Sequence, residues 1–114
     1  MKDKLLIVRE VKAFIESLDE ILINLPRREV VLKERFKKDS YDLLELVYMA
    51  NQVELKDRHI YQRQCLTKIS MLDYHLEVCF KKKYMSEKQV LKRSRKLLQM
   101  NKMMYGWIYE SKSK

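Results

Sequence analysis

Hydrophobic residues recur every three or four positions along most of the 114-residue chain, and this pattern is interrupted at three places. Such spacing puts apolar side chains on one face of an α-helix, whereas a half-buried strand alternates polar and apolar positions. Pro26 marks the first interruption, because proline ends or redirects a helix. The pattern therefore predicts helices over about 2–23, 29–49 and 57–82, and a fourth helix that begins near Ser86.

Each predicted helix carries one apolar face that would turn towards a shared core. A few small polar residues fill gaps in these faces, and some large apolar residues widen them. The predicted core positions are Leu5, Val8, Val11, Ile15, Leu18, Leu22 and Leu25; Leu32, Phe36, Ser40, Leu43, Val47 and Ala50; Ile60, Cys65, Leu66, Ile69, Leu72, Leu76, Cys79 and Phe80; and Val90, Ser94, Leu97, Asn101, Met104 and Ile108.

Four helices of about 20 to 25 residues with short connections predict an all-α fold, an antiparallel up-down-up-down four-helix bundle. A coiled-coil dimer would need longer uninterrupted heptads. The length fits a single domain over residues 1–114. The start of the fourth helix is marked by Ser86 three residues ahead of Gln89, which is the spacing of a capping box.

The composition supports helices and argues against other classes. One proline, one glycine, 46% hydrophobic and 36% charged residues exclude a disordered chain and disfavour a β-rich fold. The longest uncharged run, from Leu46 to Val53, is far shorter than the roughly 20 residues of a membrane span. The N-terminal sequence MKDKLLIVRE lacks the apolar segment of a signal peptide. We therefore expect a soluble, cytoplasmic protein with no membrane partner.

The residues that usually carry metal or acid–base chemistry are few. His59 and His75 point about 160° apart on one helix, and neither follows a Glu at the spacing of a di-metal bundle site. His75 and Cys79 lie one turn apart, but two ligands alone are a weak indication of zinc. Cys65 and Cys79 stand about 21 Å apart along the helix, which excludes a disulfide between them. With no glycine-rich phosphate loop either, we expect no metal, no cofactor and no enzymatic activity.

The net charge of +9 is concentrated in the last third of the chain. Residues 80–114 carry eleven basic and two acidic side chains, whereas residues 1–79 carry fourteen of each. On the fourth helix Lys88, Lys92, Arg95, Gln99 and Lys102 follow one another at spacings of three and four, on the face opposite the core. Such a one-signed surface attracts the phosphates of nucleic acid. An acidic protein partner or a merely solubilising face are the alternatives. The predicted nucleic-acid-binding residues are Lys81, Lys82, Lys83, Lys88, Lys92, Arg93, Arg95, Lys96 and Lys102.

The only glycine and the only tryptophan stand side by side as Gly106 and Trp107. A glycine inside a helix costs about 1 kcal/mol relative to alanine, so we expect a close neighbour to offset it. The alternative is a glycine that caps the end of the helix. We assign Tyr105, Gly106 and Trp107 to helix packing or an interface, where Tyr105 also offers a ring for base stacking.

Three stretches together resemble a known family: LPRREVVLKERFKKDSYDLLELVYMAN, the third predicted helix, and YMSEKQVLKRSRKLLQMNKMMYGWI. They resemble the four-helix-bundle proteins that include the accessory variability determinant of diversity-generating retroelements and the intervening-sequence proteins of ribosomal RNA. The most specific features are Pro26-Arg27, the Ser86 to Gln89 cap, and the Gly-Trp-Ile ending. Tyr105 stands where family members typically have the first glycine of a Gly-Gly-Trp pattern.

The resemblance to the accessory determinant implies a homopentameric, barrel-like assembly that binds template RNA or DNA. It also implies a reverse transcriptase as a partner, with the protein assisting the error-prone copying of an RNA template into a variable gene. The resemblance to intervening-sequence proteins implies instead a structural or protein-interaction module. In either case, Gly106 and Trp107 are the positions that the resemblance assigns to packing.

Overall fold

Five α-helices and one 3-10 turn make up most of residues 2–112, the part of the chain that this computed structural model describes. Side chains are described from Leu6 onward, so the prediction that Leu5 belongs to the core falls on a side chain outside those described. Residues 2–112 contain no β-strand. The elements are α1 (Lys2–Glu16), α2 (Leu18–Leu22), α3 (Val30–Gln52), the 3-10 turn (Leu55–Asp57), α4 (Arg58–Lys81) and α5 (Glu87–Lys112).

The packing order of the helices follows from which of them touch. Helix α1 packs against α3 and α5, and α4 packs against the same two helices, so α3 and α5 lie diagonally across the bundle. Because short loops join them, consecutive long helices run antiparallel. The structure thus confirms the predicted all-α, antiparallel up-down-up-down four-helix bundle, with α1 and α2 together in the place of the first predicted helix.

The first predicted helix is interrupted at Ser17, which separates α1 from α2. The Ser17 hydroxyl donates a hydrogen bond to the Phe14 carbonyl oxygen at 2.8 Å, and the Ser17 amide donates to both the Ala13 and Phe14 carbonyls. Serine side chains that bond nearby backbone groups in this way compete with regular helical hydrogen bonding. The prediction of one continuous helix over 2–23 is therefore wrong at this point.

The buried face of α1 also differs from the predicted one. Ile7, Val11 and Phe14 are buried, whereas Val8 and Ile15 are only partly buried. In α2 and the loop after it, Ile21 joins the predicted Leu18, Leu22 and Leu25 in the core. The buried face of α1 is thus rotated by about one residue from the predicted face. Two overlapping apolar patterns both fit helical spacing, so spacing alone does not show which of them is buried.

The core of the other helices mostly agrees with the prediction. Buried positions include Phe36, Ser40, Leu43, Val47 and Ala50 on α3, Cys65, Ile69, Leu72, Leu76 and Cys79 on α4, and Leu97, Met104 and Ile108 on α5. Two corrections concern α4, where Ile60 and Phe80 are exposed rather than buried. Leu32, Leu66, Val90, Ser94 and Asn101 are partly buried.

The start of α5 has the predicted capping box. The Ser86 amide donates to Gln89 Oε1 at 2.9 Å, and the Gln89 amide donates to Ser86 Oγ at 3.2 Å. These two bonds satisfy amides that have no partner within the helix. The cap thus fixes where α5 begins.

Candidate nucleic-acid interface

Three of the predicted nucleic-acid-binding cations already have carboxylate partners. Lys81 Nζ lies 3.0 Å from Glu77 Oε1, and Lys82 Nζ lies 2.8 Å from Glu29 Oε2. The Arg93 guanidinium lies 3.3 Å from Glu20 Oε2 on α2. A phosphate would have to compete with these carboxylates, so the three side chains contribute less free positive charge than the sequence suggests.

Five further predicted cations of α5 are exposed and form no ion pair with any residue of the described chain, 2–112. All but Lys96 lie on the side of the helix opposite the buried Leu97, Met100 and Met104; Lys96 flanks that side, one turn before Met100. From the first to the last of them the helix rises about 21 Å at 1.5 Å per residue. We call this surface the basic ridge, and its members are Lys88, Lys92, Arg95, Lys96 and Lys102.

The α4–α5 loop adds positive charge at one end of the bundle. Lys83 has φ of 64°, a left-handed conformation that closes α4, and the Tyr84 amide bonds back to the Cys79 carbonyl oxygen at 2.8 Å. The loop is tied to α3 by Glu29, whose carboxylate accepts hydrogen bonds from Lys82 at 2.8 Å and from the Tyr84 hydroxyl at 2.6 Å. Those two hydrogen bonds lower the pKa of Glu29, so it is a carboxylate at neutral pH.

The loop before α3 brings two further arginines to this end of the bundle, and neither is among the predicted binding residues. Arg27 and Arg28 are exposed and form no ion pair within residues 2–112. Their position is fixed by the fold, since Glu29 links the start of α3 to the α4–α5 loop. The signal that could have found them is the pair of consecutive arginines directly after Pro26.

The Tyr105 to Trp107 stretch places one residue inside the bundle and two outside. Trp107 is fully buried, and the Arg58 guanidinium lies 5.8 Å from its ring centroid, within cation–π range. Gly106 and Tyr105 are exposed. Helix α5 continues past Gly106 to Lys112, so this glycine does not end the helix.

A polar cluster that the sequence did not predict is buried between α3 and α4. Asp39 is fully buried, and its carboxylate accepts hydrogen bonds from His75 Nε2 at 2.7 Å and from Lys68 Nζ at 3.1 Å. Lys68 also pairs with Asp42 at 3.1 Å. Burial alone would raise the pKa of Asp39, but these hydrogen bonds and the nearby positive charges lower it overall. The cluster therefore holds an ionised carboxylate in the core.

The two cysteines are buried and reduced. Burial raises the pKa of the Cys65 thiol to about 12 and that of the Cys79 thiol to about 11. Since the thiolate is the reactive form, both side chains are poor nucleophiles and poor metal ligands in the folded protein. Among the described residues, no group of three or more His, Cys, Asp or Glu side chains is arranged to hold a metal ion.

No helix in residues 2–112 combines the length and the apolar character needed to cross a lipid bilayer.

Comparison with known proteins identifies the family. A family model described as bAvd-like matches residues 5–111, which include the whole of α2 to α4 and nearly all of α5. No curated protein and no solved structure matches the chain significantly. The match agrees with the resemblance seen in the Pro26-Arg27 turn, the Ser86 to Gln89 cap and the Gly-Trp-Ile ending. On this evidence the chain belongs to the bAvd-like family.

Proposed function

We propose that this protein is a non-catalytic accessory protein of a diversity-generating retroelement. In this role it binds template RNA or DNA through the basic ridge and associates with the element's reverse transcriptase in the cytoplasm. The observation that carries the proposal is the row of exposed cations on α5 that have no carboxylate partner in residues 2–112. Family membership supplies the biological setting.

The chemistry of the basic ridge favours a phosphate backbone over a specific base sequence. Lysine and arginine side chains at spacings of three and four along a rigid helix match a linear array of negative charge. The half-exposed ring of Tyr105 lies close to Lys102 in the chain and offers a stacking surface for an unpaired base. We therefore expect single-stranded nucleic acid to bind with little sequence preference.

A binding assay with the wild-type protein tests this function. Fluorescence anisotropy would compare a labelled single-stranded RNA, a second RNA of the same length and shuffled sequence, and the corresponding DNA. We expect similar affinities for the two RNAs, since phosphate contacts carry no sequence information. Co-purification with the reverse transcriptase of the same element would test the proposed association with that enzyme. An absence of binding to all three nucleic acids would contradict the proposal.

Self-association is the second part of the proposal, and two exposed stripes support it. On α5, Leu91, Leu98 and Tyr105 repeat every seven residues beside the cations of the basic ridge. On α3, Tyr41 and Tyr48 repeat at the same interval, next to Glu34 and Glu45. Exposed heptad stripes of this kind are typical of helix–helix contacts between subunits.

The placement of the two stripes favours a head-to-tail contact between copies. Because α3 and α5 lie diagonally across the bundle, their outer faces point in opposite directions. Contact of α5 with α5 would bring like charges together, whereas the α3 stripe offers Glu34 and Glu45 to the cations of α5, beside Lys37 and an already paired Lys38. Repeated head-to-tail contacts close into a ring when the rotation between copies allows it. A homopentamer of this kind is the assembly that we propose.

The variant Leu98→Glu tests the assembly. Light scattering coupled to size-exclusion chromatography is expected to give the mass of a pentamer for the wild-type protein and that of a monomer for the variant. The reason is that an unpaired carboxylate would be buried in the apolar centre of the contact. Ile60→Glu is the matched control, because Ile60 is 46% exposed and Leu98 54% exposed, and Ile60 lies outside both stripes. A monomeric wild-type protein, or an unchanged mass for Leu98→Glu, would contradict this interface.

A structural role of the intervening-sequence type is the alternative function, and the same exposed stripes favour it, since they suit a protein partner as well as a second copy. The position of the gene separates the two functions. A neighbouring reverse transcriptase gene with template and variable repeats supports the accessory role, and a position inside a ribosomal RNA gene supports the alternative.

A further inference from the structure

Arg93 differs from the other cations of α5 in its surroundings. Its side chain is only 18% exposed, whereas the basic ridge beside it is open to solvent. The guanidinium turns towards α2 and donates a hydrogen bond to Glu20 Oε2 at 3.3 Å. The partner carboxylate is 76% exposed, so most of its surface remains in water. Packing in the bundle thus fixes the Arg93 side chain, whereas the Glu20 side chain is held only through its carboxylate.

Arg93 and Glu20 meet in a cleft between the α1–α2 break and α5. The cleft has a volume of about 230 Å³, ample room for a phosphate group. Lys92 and Lys96 of the basic ridge reach it from the outer side, and Phe14 and Ala13 form an apolar wall. Glu20 is the only carboxylate among its lining residues, which are Ala13, Phe14, Ser17, Glu20, Lys92, Arg93 and Lys96.

These residues are better matched to a phosphate than to the carboxylate that now contacts Arg93. An arginine side chain binds a phosphate through two parallel N–H bonds, and its planar shape is held in place here by burial. Two further cations at the rim add attraction for a doubly charged or bridging group. The apolar wall lowers the local dielectric constant, which strengthens the attraction inside the cleft relative to the open ridge.

We propose that the cleft binds one phosphate group of the nucleic-acid backbone and that Glu20 is its internal competitor. In the free protein the Glu20 carboxylate is paired with the Arg93 guanidinium. A bound phosphate takes the place of this carboxylate, and the Glu20 side chain then moves into the solvent. The proposal rests on the function proposed above and adds two things to it: a defined phosphate subsite beside the basic ridge, and a carboxylate that limits its affinity.

Removing the competing carboxylate tests the proposal most directly. The variant Glu20→Gln is expected to bind single-stranded RNA about two- to five-fold more tightly, the range that corresponds to loss of one exposed ion pair. Asp19→Asn is the matched control, because Asp19 is the exposed neighbour of Glu20, has no ion pair within residues 2–112, and removes the same unit of charge. The control is expected to change the affinity by much less.

A double-mutant cycle assigns the gain to Arg93. Arg93→Gln is expected to weaken RNA binding, and Glu20→Gln added to it is expected to bring no further gain, because no guanidinium is then left to release. Unchanged helix content and melting temperature in circular dichroism would show that each variant is folded. Equal gains from Glu20→Gln and Asp19→Asn would overturn the competitor role and leave the proposed nucleic-acid binding intact.

Tripolyphosphate is a probe that does not depend on RNA binding. The Nε–Hε signal of Arg93 in NMR spectra is expected to shift on titration with tripolyphosphate in wild-type protein, and at lower concentrations in Glu20→Gln. If that signal shifts while no RNA binds, the phosphate cleft stands and the proposed function fails. If the Arg93 signal responds to neither ligand, the cleft is not a phosphate site.

Discussion

Replacing Asp39 with alanine is expected to lower the free energy of unfolding by about 3 to 5 kcal/mol, the usual cost of removing one partner from a buried ion pair. The carboxylate is fully buried and accepts hydrogen bonds from His75 at 2.7 Å and from Lys68 at 3.1 Å. Without it, the buried His75 side chain has no other hydrogen-bond acceptor within residues 2–112, and Lys68 keeps only the partly exposed Asp42 as a partner. Since domains of this size are stable by about 5 to 15 kcal/mol, the loss is large.

Urea unfolding followed by circular dichroism, at one fixed protein concentration, measures this effect. Asp42→Ala is the matched control, because Asp42 lies one turn away on the outer edge of the same cluster and is 28% exposed. Its ion pairs with Lys38 and Lys68 are partly in water and should be worth about 1 kcal/mol or less. Equal losses for the two variants would show that the buried carboxylate is not a principal tie between α3 and α4.

The same cluster predicts how stability depends on pH. Burial works against ionisation of Asp39, but the bonds from His75 and Lys68 outweigh it, so the pKa in the folded state lies below the ordinary 3.8. A lowered pKa means that the unfolded chain takes up protons first as the pH falls. The contribution of Asp39 is therefore fully present above about pH 4 and is lost below it. In Asp39→Ala, this part of the acid-induced loss should be absent.

Lys68 gives stability a pH dependence of the opposite sign, and its effect falls at high pH. Burial alone would lower the pKa of Lys68, but its bonds to Asp39 and Asp42 raise it above the ordinary 10.5. Its contribution is thus fully present below that value and is lost as the pH rises through the folded pKa. The cluster therefore stabilises the bundle across the neutral range.

The position of this cluster could not be predicted from the chain, and the reason is physical. Local patterning assigns an aspartate to the surface, since burying its charge without a partner is costly. Here the partners come from α4, 29 and 36 residues further along, and only the fold brings them together. The choice of the buried face of α1 has a similar origin, because either of two apolar faces satisfies helical spacing and only packing against α3 and α5 decides between them.

The basic ridge, in contrast, follows from local rules. The cap at Ser86 sets the start of α5, and the regular helical period then places Lys88, Arg95 and Lys102 opposite the core. The partners of Arg93 and Lys82 were beyond such reasoning, since Glu20 and Glu29 belong to distant parts of the chain. Surface charge was thus predictable by position, and its neutralisation by carboxylates from distant parts of the chain was not.

Replacing all the ridge residues with glutamine is expected to weaken RNA binding by about three orders of magnitude at 0.1 M salt. Each phosphate contact with a single strand releases about 0.7 counterion, which corresponds to a factor of about five in affinity at that salt concentration. The fold should be unaffected, because the five side chains are exposed and unpaired within residues 2–112. The variant combines Lys88→Gln, Lys92→Gln, Arg95→Gln, Lys96→Gln and Lys102→Gln.

A control with the same net charge separates a local site from general attraction. It carries glutamine at five exposed cations on other faces of the bundle, so its total charge equals that of the ridge variant. If binding depends only on net charge, both variants should lose affinity equally. The control positions are Arg9, Lys12, Lys37, Lys56 and Arg63.

The salt dependence of RNA affinity in these two variants tests the central claim, that the outward cations of α5 contact phosphates. A plot of log affinity against log salt concentration is expected to flatten by about 3 to 4 in slope for the ridge variant and to change little for the control. Equal slopes for the ridge variant, the control and the wild-type protein would contradict the claim.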